Sequence, residues 1–329
     1  MNGRDVALAA AVLELDAAAA VEEICARLRE TVFERLRKQG AVVALSGGID
    51  SSVVAGLAAR ALGAERVLAL LMPERDSSED TLALSRSVAD TFGIETALEE
   101  ITPLLEAVGC YARRDAAFRQ VIPEYGPGWR AKIVLPPLLG TTALRVFAVV
   151  AQSPSGELRR ERVTLDAYRE IVAATNFKQR ARKMLEYHHA DRLDYAVLGT
   201  PNRLEHDLGF FVRHGDGYAD VKPIAHLYKS QVYRLADALD VPLEIRRRTP
   251  TTDTYPLAQD QEEFYFALPY EQMDLCLYAR LHDFPAEEAA RAAGIGTADA
   301  ERVYRDIDAK RRLAELLSLP PLTFESPFG

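Results

Sequence analysis

The stretch Val42–Ser52 reads VVALSGGIDSS, and it decides how the rest of the chain is read. Val42 to Leu45 form a run of four apolar residues, the pattern of a short buried strand. Ser46, Gly47 and Gly48 follow at once, then Ile49, Asp50, Ser51 and Ser52. From Ile49 to Leu62 the apolar spacing is helical. A strand, a glycine turn and a helix together present backbone N–H groups to an anion. Two adjacent glycines let the main chain approach phosphate oxygens where a Cβ would collide. The hydroxyls of Ser46, Ser51 and Ser52 add donors. Asp50 has the wrong charge for a phosphate, so the pattern calls for a divalent cation between them, a role that suits Mg2+. A lone Ser-Gly-Gly is an ordinary turn before a helix. The full SGGIDSS behind a buried strand points to phosphate binding.

With 329 residues, the chain can hold one large α/β domain or two smaller ones, and 48% hydrophobic residues supply a substantial core. A net charge of −9 argues against a nucleic-acid-binding face, although local basic patches can still hold phosphates. Cys25, Cys110 and Cys276 lie far apart with no CxxC spacing, which argues against a disulfide framework or zinc site and fits a reduced, cytoplasmic setting. Asp5, Glu14 and Asp16 among the N-terminal alanines do not make a secretory signal. The longest apolar run, Ile133–Ala151, is broken by Pro136, Pro137, Gly140 and Arg145, so it reads as a buried or interface segment and not a membrane span.

Residues 4–38 read as one or two amphipathic helices. Arg66–Met72 is a second apolar strand closed by Pro73, and Ser77–Phe92 a helix capped by Ser77 or Ser78. Glu95–Ile101 is a third strand, and Pro103–Cys110 starts another helix. The alternation implies an α/β fold, a parallel sheet with helices on both faces. Ligands in such sheets sit at the carboxyl ends of the strands, where the glycine loop also lies. Residues 123–165 break the rhythm. PEYGPGW is loop chemistry, and ALRVFAVVAQSPSGELRRERVTL reads as a β-hairpin about a Ser-Pro-Ser-Gly turn. A lid, a substrate-facing flap, a dimer contact and a plain surface excursion are all open readings of this insertion.

A helix over Tyr168–Ala190 carries Asn176, Lys178, Arg180, Arg182 and Lys183, on spacing alone a solvated basic face. Asp194–Thr200 is a strand ending in Gly-Thr. Phe210 and Phe211 lie next to Arg213, His214 and an Asp-Gly turn, as in an active-site loop. Lys229–Leu239 is a helix, and the region from about 265 to 329 is helical, over Tyr270–Leu281, Pro285–Ala293 and Thr297–Leu317. The expected organisation is one domain over 1–329 with the insertion and this helical C-terminal part.

No Walker A loop occurs in the chain. SGGIDSS resembles the pyrophosphate loop of the N-type ATP pyrophosphatases, whose fold is adenine nucleotide alpha hydrolase-like. NFKQRAR (176–182), VLGTPNRLE (197–205), GFFVRHGDGYADVKPI (209–224), LYKSQ (227–231) and PTTD (250–253) follow in order. Together they resemble the NAD synthetase family, over roughly 40–100 and 170–255. The resemblance implies an amide ligase that adenylates a carboxylate with ATP, releases pyrophosphate and transfers ammonia, with deamido-NAD as acceptor.

It also implies roles by position. Asp50 and Glu205 align with Mg2+ ligands, and Asp50 and Lys229 with the catalytic groups. Leu45, Ser46, Gly47, Gly48, Asp50, Ser51, Ser52, Thr200, Lys229 and Thr251 align with ATP contacts. Asn176, Arg180, Arg213, Asp220 and Lys310 align with acceptor contacts. The family usually has Lys at the place of Arg213. It commonly has GTDHAAE where this chain has GTPNRLE, so Pro201 and Asn202 replace an Asp-His pair. A His-Lys pair near the family's C-terminus has its nearest equivalent at Ala309-Lys310. These departures and the insertion lie on the acceptor side, so the same chemistry on another carboxylate is the first alternative. A nucleotide-binding protein without turnover is the second, and intact Asp50, Glu205 and Lys229 weigh against it. Too few residues precede the loop for a glutamine-hydrolysing domain, which implies free ammonia or a separate glutaminase. The family is typically a homodimer.

Overall fold

The structure is a computed structural model and describes residues 8, 10–78, 80–135, 138, 147–248, 254–257, 259, 265–266 and 268–324. Helix α1 (Ala17–Glu30) precedes strand β1 (Gly40–Leu45). Then α2 (Ile49–Leu62), β2 (Val67–Leu71), α3 (Thr81–Phe92) and β3 (Glu95–Leu98) alternate. Helices α4 (Thr102–Ala107) and α5 (Cys110–Val121) lead to β4 (Arg130–Val134), β5 (Ala148–Gln152) and β6 (Leu158–Arg162). Next come α6 (Leu165–Leu193), β7 (Tyr195–Leu198), α7 (Arg203–Leu208), α8 (Lys229–Ala238) and α9 (Leu243–Arg246). The described chain ends in α10 (Tyr270–Leu281), α11 (Ala286–Ala293) and α12 (Thr297–Ser318).

The main sheet has the order β3-β2-β1-β7, and every pair in it is parallel. Its burial follows from side-chain alternation along the strands. Ala41, Val43 and Leu45 of β1 pack with residues of α1, α2 and α8 on one face. Val42, Leu68, Leu70 and Val197 pack on the other with Leu105, Cys110 and Tyr111 of α4 and α5 and Ala190 of α6. Helices therefore cover both faces, as the sequence pattern implies. α2 is buried nearly all round, and Leu57 at its middle has no exposed surface. Truncating Leu57 to Ala would cost about 2–5 kcal/mol.

The chain builds β1, β2 and β3 outward in one direction, then returns to place β7 on the other side of β1. The order reverses at β1, so a crevice opens between the carboxyl ends of β1 and β7. This topology fixes the place of the site.

The expected hairpin is present as β5 and β6, but β4 joins them in an antiparallel sheet of three strands. Arg130 and Lys132 hide β4 in the sequence by interrupting its apolar residues, although Ala131, Ile133 and Val134 are all buried. This sheet packs on Phe118 of α5 and Ile171 of α6. The helix expected from Ser77 starts at Thr81 instead, without a side-chain cap. The Ser77 hydroxyl accepts from the Glu74 amide at 3.1 Å, and the Ser78 hydroxyl meets Thr81 Oγ1 at 2.7 Å, so both serve the preceding turn. The expected third strand stops at Leu98, and the helix begun at Thr102 breaks at Gly109, whose φ is +72°. No helix among the described residues is long and apolar enough to cross a membrane.

Candidate active site

At the carboxyl end of β1 the chain turns at Gly47, whose φ of +69° is left-handed. A Cβ there would stand 2.9 Å from that of Leu84, so the turn needs glycine both for conformation and for space. Gly48 is the N-cap of α2 and offers no side chain, so the amides of its first turn carry no side-chain cap. Ser51 Oγ lies 3.2 Å from Ser46 Oγ and donates to the Gly48 carbonyl at 3.1 Å. Leu45, Ser46, Gly47, Gly48, Asp50 and Ser51 all line a cleft of about 720 Å3. Ser52 does not. It is fully buried, and its hydroxyl donates to the Gly48 carbonyl at 2.8 Å, so it stiffens the turn from behind.

Asp50 gathers the other side of the cleft. Lys229 Nζ, at the first residue of α8, bonds Asp50 Oδ2. Asn202 Nδ2 donates to Asp50 Oδ1 at 3.0 Å. Asn202 is also the N-cap of α7 in a reciprocal capping box: its Oδ1 accepts from the Glu205 amide at 3.2 Å, and Glu205 Oε2 accepts from the Asn202 amide at 3.1 Å. One asparagine thus ties Asp50 to Glu205. Burial, and then the nearby Asp50 charge, push the Glu205 carboxyl up to about 8. Burial works against a charged Lys229, but Asp50 and Glu205 outweigh it and hold the lysine above its usual range. Among the described residues no group of three or more His, Cys, Asp or Glu side chains could hold a metal ion. Asp50 and Glu205 offer two hard oxygen ligands that repel each other, a set that suits a hard cation completing its shell with phosphate oxygens.

The position of Lys229 is set from a distance. Asp274 of α10 is fully buried, and its two oxygens accept from the amides of Lys229 at 3.2 Å and Ser230 at 2.8 Å. Burial pushes its carboxyl up to about 6 in spite of these bonds. The helical C-terminal part therefore reaches the site through the start of α8.

Thr200, Asn176, Arg180, Arg213, Glu205 and Lys229 line the same cleft. Arg180 Nε donates to the Arg213 carbonyl at 3.3 Å, which joins two of the residues expected on the acceptor side. Asp220 and Lys310 are not among its lining residues. Asp220 accepts from Tyr187 Oη at 3.0 Å and the Val197 amide at 2.8 Å. Lys310 is buried against the Tyr265 carbonyl at 2.6 Å and Asp306 at 2.6 Å. Thr251 lies outside the described residues. Phe147 of the insertion does line the cleft, stacked on Tyr168 with ring centroids 4.3 Å apart. Part of the insertion is therefore cleft wall, not surface excursion.

Sequence reasoning missed Asn202, Asp274 and a buried charge cluster behind the wall. Lys178 Nζ bonds Glu74 at 2.7 Å, Asp76 at 2.8 Å and the Thr254 carbonyl at 3.0 Å. Asp76 also receives Arg114 at 2.5 Å, and Glu74 receives Tyr111 Oη at 2.7 Å. The Asn-x-x-Glu spacing at 202–205 was the one available signal, a helix start. By spacing Lys178 belongs to a solvated face; in the structure only about 1% of it is exposed.

The NAD synthase family matches residues 20–121 and 152–313, leaving out 122–151, which takes in the first part of the insertion. Over 94% of its length this chain is 57% identical to an NH3-dependent NAD+ synthetase of Mesorhizobium japonicum, covering 98% of that protein. A Rhizobium meliloti protein of the same name is 56% identical over 94% of this chain and 92% of its own. Among solved structures, an NMN synthetase from Francisella tularensis shares the fold at a TM-score of 0.63 and 22% identity, covering 95% of this chain and 100% of that one. An NH3-dependent NAD synthetase from Campylobacter jejuni does so at 0.62 and 23%, covering 94% and 100%. The Asp50–Lys229 ion pair beside the glycine turn is thus found in a chain that belongs to the NAD synthase family.

Proposed function

We propose that this chain amidates the nicotinate carboxylate of deamido-NAD with ammonia, converting ATP to AMP and pyrophosphate. The observation that carries the reading is the meeting of Asp50, Asn202, Glu205 and Lys229 at the turn after β1. A substrate carboxylate oxygen attacks the α-phosphorus, and the bond to the β-phosphate oxygen breaks. Ammonia then adds to the acyl carbon, loses a proton, and AMP leaves with the carboxylate oxygen.

No nucleophilic side chain is needed, so the protein's part is positioning and charge neutralisation. The amides at Gly47–Asp50 and the Ser46 and Ser51 hydroxyls hold phosphate oxygens. Lys229 exchanges Asp50 for the departing pyrophosphate and neutralises its charge. Thr200 adds a hydroxyl on the β7 side, and Thr251 is assigned to ATP by its motif. Mg2+, when bound, supplies charge neutralisation at the ATP phosphates, and Asp50 and Glu205 would hold it. A nearby dication would also keep Glu205 ionised in spite of its burial.

Asn176, Arg180 and Arg213 take the acceptor, with Arg180 suited to a phosphate by its forked donors. Asp220 and Lys310 would reach the acceptor only through rearrangement or a second subunit. A homodimer, one domain carrying the insertion, a cytoplasmic setting and ammonia supplied freely or by a separate glutaminase complete the proposal. The test is purified protein with deamido-NAD, ATP, Mg2+ and ammonium. NAD, AMP and pyrophosphate should form in equal amounts. AMP formation with other carboxylates but none with deamido-NAD would leave the ATP chemistry and sink the acceptor.

A further inference from the structure

A second cavity, of about 760 Å3, shares a wall with the cleft at Ser77, Arg248 and Tyr255. Its described lining carries Arg75, Arg114, Arg119, Arg130 and Arg248 against only Asp76 and Asp115. In a chain of net charge −9 such a concentration of guanidinium groups is a local reversal of the bulk sign.

Three of these arginines, the exposed Arg119 and Arg130 and the half-buried Arg248, each donate to a neutral acceptor. Arg119 Nε donates to the Tyr125 carbonyl at 3.1 Å. Arg130 Nη2 donates to Gln152 Oε1 at 2.7 Å, and Arg248 Nη2 to Ser78 Oγ at 3.0 Å. Each acceptor is neutral, so it fixes the fork without cancelling the charge. Among the described residues no carboxylate pairs with any of these three side chains.

Arg114 forms the floor. Its side chain is 2% exposed and is locked by Asp76 at 2.5 Å and Asp115 at 2.9 Å. Planar guanidinium forks held in place lose little further freedom when they take a phosphate, and they take it with two parallel bonds. The volume suits a small molecule of nucleotide size.

We propose that this cavity is a second anion site, distinct from the catalytic cleft, that takes a phosphate-bearing small molecule through Arg119, Arg130 and Arg248. The site stands independently of which carboxylate the enzyme amidates.

Trp129 lines this cavity but not the cleft, and it is the only tryptophan in the chain. Its emission is therefore a local reporter. The experiment titrates the full chain, without Mg2+, with inorganic pyrophosphate in one arm and ADP in the other. A saturable change in Trp129 emission is expected in at least one arm. The stronger arm tells an inorganic polyphosphate from a nucleotide. Arg119→Ala with Arg130→Ala should weaken it at least ~10-fold, the loss of two charge-assisted contacts. Lys229→Ala, which alters the cleft, should leave it unchanged. If the double variant fails a circular-dichroism check of folding, Arg130→Gln alone is read, with at least ~3-fold weakening expected. The proposal is overturned by the absence of any saturable change in both arms. It is equally overturned by a change that survives the arginine variants, or by one that Lys229→Ala abolishes, since that signal would belong to the cleft.

Discussion

Asp50 and Lys229 stand 179 residues apart in the chain and form a buried ion pair at the carboxyl end of the central strand. Their side chains are 15% and 2% exposed. The pair closes the first βα unit onto the start of α8 and puts a charged ammonium beside the glycine turn proposed to hold phosphate. A charge so buried persists because its partner is fixed. In the proposed reaction a phosphate at the turn takes over that partnership.

Lys229→Ala should therefore do two things. Pyrophosphate release should fall at least ~100-fold, the scale of removing one group that meets charge in the transition state. Stability should fall by ~2–4 kcal/mol, because the half-buried Asp50 loses its cation and keeps, among the described residues, the Asn202 side chain as its side-chain donor. Denaturant melts and initial rates at varied acceptor give both quantities. An unaltered rate with a raised acceptor KM would move Lys229 to the other side of the cleft.

Asn202 separates capping from active-site support. Asn202→Asp keeps an acceptor for the Glu205 amide, so α7 should stay capped, but it adds a carboxylate beside Asp50 and Glu205 and removes the donor to Asp50. Asn202→Ala loses the cap as well and should cost ~1 kcal/mol more in stability. Both variants should lose most pyrophosphate release. If Asn202→Asp turns over like the native enzyme, the bond to Asp50 has no part in the reaction.

Asp274 acts on the site through the backbone of α8. Asp274→Asn places an NH2 against one of two amide donors, so one bond is lost and a donor is left unmet, at ~1–3 kcal/mol. With the start of α8 loosened, the KM for ATP should rise and turnover fall, while the acceptor KM holds. Equal changes in both KM values would mean a general loss of structure.

How much of this was legible follows from where the information sits. SGGIDSS shows its strand, turn and helix because a buried parallel strand and a glycine turn have local signatures. The alternation of elements carried the parallel sheet and helices on both faces. β4 was not legible, since a strand with Arg130 and Lys132 gains its burial from α5 and α6, whose packing on it only the fold shows. Lys178 belonged by spacing to a basic face, and only the fold brings Glu74 and Asp76 to it. Asn202 stood out in the sequence as a departure from the family pattern, yet its Asn-x-x-Glu spacing marked a capping box that the structure makes the link between two carboxylates.

The buried cluster behind the cleft makes a pH prediction. Burial alone would raise the Asp76 carboxyl, but Lys178 and Arg114 outweigh it and hold it below its ordinary value of 3.8. A carboxyl lowered on folding stabilises the fold above its unfolded pKa, and that contribution is lost as pH falls through the folded value. Native protein should therefore lose stability below about pH 4, and Asp76→Asn should show a shallower loss there. At neutral pH the variant should be less stable by ~2–4 kcal/mol, softened because Glu74 still meets Lys178 and Asp115 still meets Arg114. Parallel slopes below pH 4 would remove Asp76 from the acid response.

In the proposed reaction ATP adenylates the acceptor carboxylate, and isotope transfer reads that step. Deamido-NAD carrying oxygen-18 in its nicotinate carboxylate is turned over with unlabelled ATP and ammonium, and the AMP and pyrophosphate are weighed by mass spectrometry. Adenylation predicts that each turnover leaves one carboxylate oxygen, labelled in proportion, in the phosphate of AMP and none in pyrophosphate. Unlabelled AMP, or label in pyrophosphate, would contradict the account.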